Sequence, residues 1–330
     1  MNRLLISTRY AQKRFLSSER ILLTPKDVEI IRNPDNSLIS SFLKTAGFTN
    51  SESKYNDIKL LKETMGENYN LYFLCLKDSE EVVSACQEIT YKSLDSHSSS
   101  FQSWGISWNM QKYQGNGMLS YLMQTMADDL KAFKINAGGC VLPAMTAVWR
   151  QQLQSRIRGP VFYVSNYKVK DLVNPQTDYP DVTVKDINEK DLVEYDQSVF
   201  PYERSKYILE KFKNGVGKIA YDKNGKVSGM GLVTIHSSGD CVIGPMYAND
   251  KITAQAIFQN ILSQMPIKDL KNIQIRCNDS FQDSTNWINP FLRQRHEMVQ
   301  HSIVKFNRVI PEGLDYSKVF VNSNPTNAPI

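Results

Sequence analysis

Tyr113-Gln114-Gly115-Asn116-Gly117-Met118-Leu119-Ser120 is the stretch on which the reading of this chain turns. It closes residues 101–110, a run rich in aromatic and β-branched residues that reads as a strand. It opens residues 118–133, where Leu119, Leu122, Met123, Met126 and Leu130 fall near a 3.6-residue period, so a helix follows. Two glycines at that junction let the backbone approach a ligand closely, and the N–H groups of the first helical turn, which have no carbonyl partner, converge on one spot. Such a spot binds phosphate. A Walker A loop needs Gly-Lys-Ser or Gly-Lys-Thr, and a dinucleotide fold needs a third glycine in a parallel βαβ unit; neither pattern is present.

Upstream, residues 37–46 and 58–65 read as helices, and 70–76 and 82–91 as strands joined by the charged turn Lys77-Asp78-Ser79-Glu80-Glu81. The order is helices, an antiparallel meander, a glycine turn, a helix. It begins again past Tyr179: a short strand at 182–184, two helical segments in 189–212 broken at Pro201, then a hairpin of 218–221 and 226–235 across Asp222-Lys223-Asn224-Gly225. Residues 241–243 continue the meander and 253–265 supply the next helix. A supersecondary order repeated at this length argues for duplicated domains. The join is expected at 171–181, which holds Pro175, Pro180 and several acids.

The chain has 330 residues, 41% of them hydrophobic and 22% charged, a composition that suits two globular cores. No run of about 18 apolar residues occurs, so no membrane insertion by a helix is expected. The net charge is +5, but Arg3, Arg9, Lys13 and Arg14 account for four of those charges and residues 1–18 contain no acid. The rest is close to neutral and offers no basic stripe, so no nucleic acid partner is expected. Arg-rich, hydroxyl-bearing and acid-free, residues 1–18 have the composition of a mitochondrial transit peptide; the alternative is a basic N-terminus with no targeting role and a cytoplasmic protein. Cys75, Cys86, Cys140, Cys241 and Cys277 are odd in number and never paired as CxxC, and His296 and His301, five apart, fall on different faces of a helix. No metal site and no disulfide framework is expected.

Strand, then Tyr-Gln-Gly-x-Gly, then amphipathic helix resembles the pyrophosphate loop of the GCN5-related N-acetyltransferase (GNAT) superfamily, Gln/Arg-x-x-Gly-x-Gly/Ala, with Gln114 and Gly117 matching and Leu119 standing where Gly or Ala is usual. In the second half, Phe200-Pro201-x-x-Arg204-x-x-Tyr207-Ile208-Leu209, Gly229-x-Gly231-Leu232 and Ile243-Gly244-Pro245-Met246-Tyr247-Ala248-Asn249-Asp250 are similar to the C-terminal domain of YitH-type acetyltransferases. Leu142-Pro143-Ala144-Met145-Thr146-Ala147-Val148-Trp149 resembles a Val-x-Ala-Gln-Gln-Ala-Asn-Tyr run of the same family, and the likeness spans most of residues 20–310. It implies an α/β fold of two tandem GNAT-like domains, each a mostly antiparallel mixed sheet flanked by helices. These would be an N-terminal domain at 20–170 carrying the acyl-CoA loop, a linker at 171–181, a C-terminal domain at 182–310 and a tail at 311–330.

The resemblance also implies acetyl-CoA, or another acyl-CoA, as co-substrate, with no metal. Backbone N–H groups across Gln114, Gly115, Asn116, Gly117, Met118 and Leu119 would hold the pyrophosphate, Ser120 would add a hydroxyl, and N–H groups near Trp108, Asn109 and Met110 would polarise the thioester carbonyl. The implied reaction is direct attack of a small-molecule amine on the thioester. For a base the chain offers Glu88, for which a solvated strand end is the ordinary setting, and Tyr113 is a substitute acid beside the loop. Departures bear on mechanism: Trp149 stands where the family Tyr that protonates the thiolate would fall, Val148 replaces an Asn, and Met145-Thr146 replaces the Gln pair. Indole cannot do the work of a phenol. A non-catalytic acyl-CoA binder and a protein-interaction scaffold are therefore the alternatives. The second-half turn Tyr247-Ala248-Asn249-Asp250-Lys251 lacks glycine and offers no comparable cradle. Arg204 and Asp196 are read either as acceptor contacts or, by default, as a surface ion pair. Oligomeric state is not legible.

Overall fold

Residues 69–76, Tyr-Asn-Leu-Tyr-Phe-Leu-Cys-Leu, carry apolar side chains on both alternating faces, and all but the last of the eight are buried. A strand of that kind has to be covered on both sides. The computed structural model supplies the cover and describes residues 21–47, 51–96, 98–129, 135–152, 154–278, 287–293 and 300–322. The expected transit peptide, His296, and the last residues of the helix expected at 118–133 lie outside the described residues.

The first half comprises β1 (Val28–Arg32), α1 (Asn36–Thr45), α2 (Ser51–Met65), β2 (Tyr69–Leu76), β3 (Val82–Tyr91), β4 (Phe101–Asn109), α3 (Met118–Asp129), β5 (Asn136–Val141), α4 (Thr146–Gln152) and β6 (Ile157–Lys168). The second comprises β7 (Val182–Lys185), α5 (Glu189–Val199), α6 (Ser205–Lys213), β8 (Val216–Asp222), β9 (Val227–Ile235), β10 (Asp240–Ala248), α7 (Lys251–Gln264), β11 (Asn272–Asn278), β12 (Gln300–Phe306) and β13 (Val319–Val321). Helix starts follow local chemistry: the Asp35 carboxylate accepts the Leu38 N–H at 2.8 Å at the head of α1, and the Asn188 side chain accepts the Asp191 N–H at 3.1 Å at the head of α5.

All the strands join one sheet, in the order β1-β2-β3-β4-β5-β12-β6-β11-β13-β10-β9-β8-β7. Read inward from its two edges, β1 to β4 answer β7 to β10, β5 answers β11, and β12 and β6 meet at the centre. Among the described residues two of its pairings are parallel, β4 with β5 and β10 with β11. The halves exchange strands: β6, from the first, pairs with β11 over seven residues, and β12, from the second, pairs with β5. The sheet therefore runs unbroken past the join expected at 171–181.

One face is covered by α1, α2, α5 and α6, whose Leu38, Phe42, Ile58, Leu61, Leu192, Tyr207 and Ile208 form a single buried cluster with the sheet. The other face is divided. Beneath the first half, α3 and α4 bury Met118, Leu119, Leu122, Met123, Met126 and Trp149 against Leu74, Cys86 and Trp104. Beneath the second, α7 buries Ala254, Ile257, Phe258 and Ile261. Among the described residues, no helix is long and apolar enough to cross a membrane.

Candidate functional site

β4 and β5 pair only over 101–103 and 136–138, then part. β4 runs on to Asn109 and β5 to Val141 with no strand between them among the described residues, which leaves an open splay. Near its middle β4 carries a bulge: Ala85 faces Trp108 and Gln87 faces Gly105, so Ile106 and Ser107 both oppose Cys86. Ile106 has φ +46°, a conformation that strains a β-branched residue. Backbone strain of this kind gathers where a strand must present its groups to something other than its neighbour.

At the end of β4 the chain makes a short 3-10 turn, Gln111–Tyr113, and enters the glycine loop. Gly115 (φ +89°) and Gly117 (φ +74°) both adopt the left-handed region, and a Cβ at Gly117 would meet nothing within 4 Å. Gln114, Gly115 and Gly117 face solvent and Asn116 is half-buried. The Tyr121 N–H closes the first intrahelical bond onto the Gly117 carbonyl at 2.8 Å, so the N–H groups of Met118, Leu119 and Ser120 precede the helical ladder. Asn116 Nδ2 donates to the Ile21 carbonyl at 2.5 Å, tying the loop to the start of the described chain. Leu119, expected to crowd a phosphate, turns its side chain into the core beneath α3 and is 8% exposed.

The individual site residues separate into groups. Met110 cannot offer its N–H to a thioester carbonyl, because it donates to the Val83 carbonyl at 2.8 Å. The Asn109 side chain accepts from Ser84 Oγ at 2.5 Å and donates to the Tyr113 carbonyl at 3.4 Å, bracing the loop from within. Tyr113 is buried, and its hydroxyl donates to Glu81 Oε1 at 2.6 Å, with Lys112 Nζ on the same oxygen at 2.7 Å. Burial and the Glu81 carboxylate raise the phenol's pKa, so its described role is to anchor the loop to the β2–β3 turn.

Glu88 is not a solvated strand-end charge. It lies in the body of β3, fully buried, on the face covered by α3, across from Trp104. Gln102 Nε2 donates to its Oε1 at 2.9 Å. Burial pushes its pKa up to about 7, opposed by the Arg32 guanidinium and the Thr90 hydroxyl. Trp149, 2% exposed, lays its ring against Gly139 of β5, where a Cβ would come within 2.6 Å of Cη2. Indole thus fills the wall of the splay on the α3–α4 side.

In the second half the corresponding features are closed. β10 and β11 pair in parallel over 240–242 and 272–274, but β13 then inserts between them, with Val321 opposite both Met246 and Cys277. Aligning the two parallel pairings puts Pro245 in the place of Ile106, and proline has no N–H to offer. At the head of α7 the Asp250 carboxylate accepts the Thr253 N–H at 2.8 Å, so the helix end already holds an anion. Arg204 and Asp196 are neither a surface pair nor acceptor contacts: Arg204 Nε and Nη2 reach the two Asp196 oxygens at 2.9 and 2.7 Å, both side chains are buried, and Tyr247 completes the cluster.

Sheet topology, bulge, splay and loop together define a tandem protein of the GNAT acetyltransferase fold. The chain belongs to the family described as Protein of unknown function (DUF1248), whose model matches residues 25–199. Residues 192–286 match the model of an acetyltransferase (GNAT) domain. No curated protein matches the chain. Among solved structures, a candidate acetyltransferase from Pyrococcus horikoshii superposes with a TM-score of 0.67 at 14% identity, over 94% of this chain and 99% of that one. A GCN5-related N-acetyltransferase from Sphaerobacter thermophilus gives 0.57 at 11% identity, over 90% and 100%. A tandem GNAT protein from the clavulanic acid biosynthesis pathway gives 0.57 at 8%, over 84% and 98%. At these identities the likeness establishes the fold, which is one that generally binds acyl-CoA.

Proposed function

We propose that the chain is an acyl-CoA-dependent N-acyltransferase with one working site, in the first half, acting on a small-molecule amine. The observation that carries this reading is the contrast between the halves: one splay is open and leads to a glycine cradle, while the other is filled by β13 and ends in a carboxylate-capped helix. On this reading, N–H groups across Gln114 to Leu119 hold the CoA pyrophosphate with the Ser120 hydroxyl beside them, and the pantetheine arm lies between β4 and β5. The bulge at Ile106 turns a backbone donor toward the thioester carbonyl, where developing oxyanion charge is stabilised.

The amine nitrogen attacks the carbonyl carbon, the C–N bond forms and the C–S bond breaks. The nitrogen's proton passes through water to Glu88, whose pKa of about 7 suits proton removal at neutral pH, and the thiolate leaves to take its proton from solvent. The buried indole of Trp149, at the family's thiolate-acid position, favours one other reading, an acyl-CoA binder without turnover. The mitochondrial address of residues 1–18 belongs to the proposal and fits a metabolic amine.

Calorimetric titration of the chain with acetyl-CoA tests the site. Micromolar affinity, about −8 kcal/mol, is expected, lost in Gly117→Glu, where a carboxylate would stand in the cradle. Unchanged binding in that variant refutes the cradle. Thiol release on adding amines then separates enzyme from binder, and a fusion of residues 1–19 to a fluorescent reporter tests the address.

A further inference from the structure

Two residues beyond the bulge at Ile106, β4 turns Trp108 to the face covered by α1, where its ring meets Phe42 edge-on with centroids 5.0 Å apart. Beside that pair lies a cavity of about 550 Å³, within the size range of small-ligand sites. Phe42, Val82, Trp108 and Met110 form its apolar wall, and Glu80 and Glu81 of the β2–β3 turn stand at its rim. Glu81 is already held by Lys112 and Tyr113, whereas Glu80 is exposed and makes no ion pair among the described residues.

In the second half the same place is filled. Matching the helix caps at Asp35 and Asn188 sets Tyr195 against Phe42. The Met110 N–H bonds the Val83 carbonyl and the Asn249 N–H bonds the Ser228 carbonyl, both at 2.8 Å, which sets Asn249 against Met110 and Tyr247 against Trp108. There the Tyr195 hydroxyl reaches the Ser228 carbonyl at 3.0 Å and Asn249 Oδ1 at 3.1 Å, and Tyr247 is 1% exposed. The Asp315 N–H closes over the end of α5, on the Val199 carbonyl at 3.0 Å. With Phe42 for Tyr and Met110 for Asn, the first half lacks this polar bridge, and an apolar-walled cavity stands in its place.

Two features give the cavity an occupant. Its walls belong to the face of the sheet opposite α3 and Trp149, so a molecule seated there reaches β4 from the side away from the glycine cradle. Trp108 also lies only about 6–7 Å of strand from the bulge, where the thioester carbonyl is proposed to sit. We infer that the cavity seats the body of the acceptor, an amine that carries an aromatic or comparably bulky apolar group a short alkyl arm from its nitrogen and bears no acidic group. The inference rests on the acyl transfer proposed above. Phe42 and Trp108 take the ring by apolar burial and edge-to-face contact. Glu80 at the rim favours an entering ammonium and disfavours an anionic acceptor. These side chains set specificity; none touches the reacting bond.

The test follows thiol release from acetyl-CoA by the full chain with phenethylamine and with ethanolamine, an amine of similar basicity that lacks the ring. Burying the ring should give phenethylamine a kcat/KM at least about tenfold higher. Ser41 and Thr45 are exposed α1 positions that line the cavity, so Ser41→Trp should fill it without disturbing the core. That variant should raise KM for phenethylamine about tenfold, leaving kcat/KM for ethanolamine and the Kd for acetyl-CoA unchanged, and Thr45→Trp provides a second route to the same result. Glu80→Gln should raise KM for phenethylamine by about two- to fivefold, an effect that salt erodes. Equal kcat/KM for the two amines, or a filled cavity that slows both alike, overturns the inference while acetyl-CoA binding and turnover still stand. So does a Ser41→Trp variant that spares phenethylamine and weakens binding of octanoyl-CoA, which would give the cavity to the acyl chain. Where acetyl-CoA binds and no amine is turned over, calorimetric titration of phenethylamine into the acetyl-CoA complex decides: binding that Ser41→Trp abolishes supports the inference, and no binding overturns it. A chain that binds no acetyl-CoA overturns the acyl-transfer reading, and this one with it.

Discussion

Replacing Glu88 with glutamine tests the electrostatics of the buried face directly. Gln102 Nε2 donates to Glu88 Oε1 at 2.9 Å, yet Glu88 Oε2 and Gln102 Oε1 are both buried with no hydrogen-bond partner among the described residues. Both acceptors are explained together if a proton sits on Oε2 and is donated to the Gln102 amide oxygen, a reciprocal acid–amide pair. The pKa, raised from the ordinary 4.5 to about 7 by burial, describes the same preference. Between those values the folded chain binds a proton that the unfolded chain releases, so this contribution is fully present below pH 4.5 and is lost as pH rises through 7. At about 1.4 kcal/mol per pH unit over that interval the loss is about 3 kcal/mol. Glutamine keeps the acceptor toward Gln102 Nε2 and places an N–H where the proton was, without titrating. Denaturant unfolding of both proteins at pH 5 and pH 8 should show the wild type losing about 3 kcal/mol more than Glu88→Gln. Parallel pH dependence of the two would show that Glu88 is ionised in the fold and would refute the reasoning. The same variant should lower the rate of acyl transfer and remove a titration near pH 7 from kcat/KM.

Gly117→Ala, which meets open space but forces an L-residue into φ +74°, should cost about 1 kcal/mol in thermal unfolding while weakening acetyl-CoA binding less than Gly117→Glu does. Trp149→Tyr, which puts a phenol at the splay wall, should raise kcat for thiol release; an unchanged kcat would show that the thiolate needs no side-chain acid. Asp196→Ala strands the buried Arg204 guanidinium and should destabilise the fold by about 3–5 kcal/mol in denaturant titration. Residues 20–181 expressed alone should aggregate, because β5 and β6 would lose β12 and β11 and expose unpaired edges; a soluble, cooperatively unfolding fragment would contradict this.

What could be read in the chain was local. The meander 69–109, the glycine turn and the amphipathic helix after it follow from periodicity and turn chemistry, which operate within a few residues. The repetition of that order followed from the same signals, whereas the GNAT resemblance rested on the residues of the 113–120 loop and of the second-half motifs. Boundaries moved where tertiary contact recruits more chain: the helix expected at 58–65 begins at Ser51, and the short strand expected at 241–243 extends over Asp240–Ala248. β6 and β12 were missed, although 161–167 is dense in aromatic and β-branched residues, because a strand at the centre of a sheet is defined by partners distant in the chain.

The site divides in the same way. The glycine loop and helix start at 114–120 were legible because a helix N-terminus and two glycines are sequence-local features. Glu88 read as a strand-end charge and Arg204–Asp196 as a surface pair, since nothing in a single sequence says which face of a strand is covered; the fold buries all three. Sequence alone determined the order of meander, glycine loop and helix in the first half, and the absence of glycine from the second-half turn. Tertiary structure alone decided that β13 fills one splay, and that Lys211 of the second half pairs with Asp57 of the first. Turn and helix propensities act between neighbours in the chain, whereas strand insertion and charge clustering are set by contacts between segments tens to hundreds of residues apart.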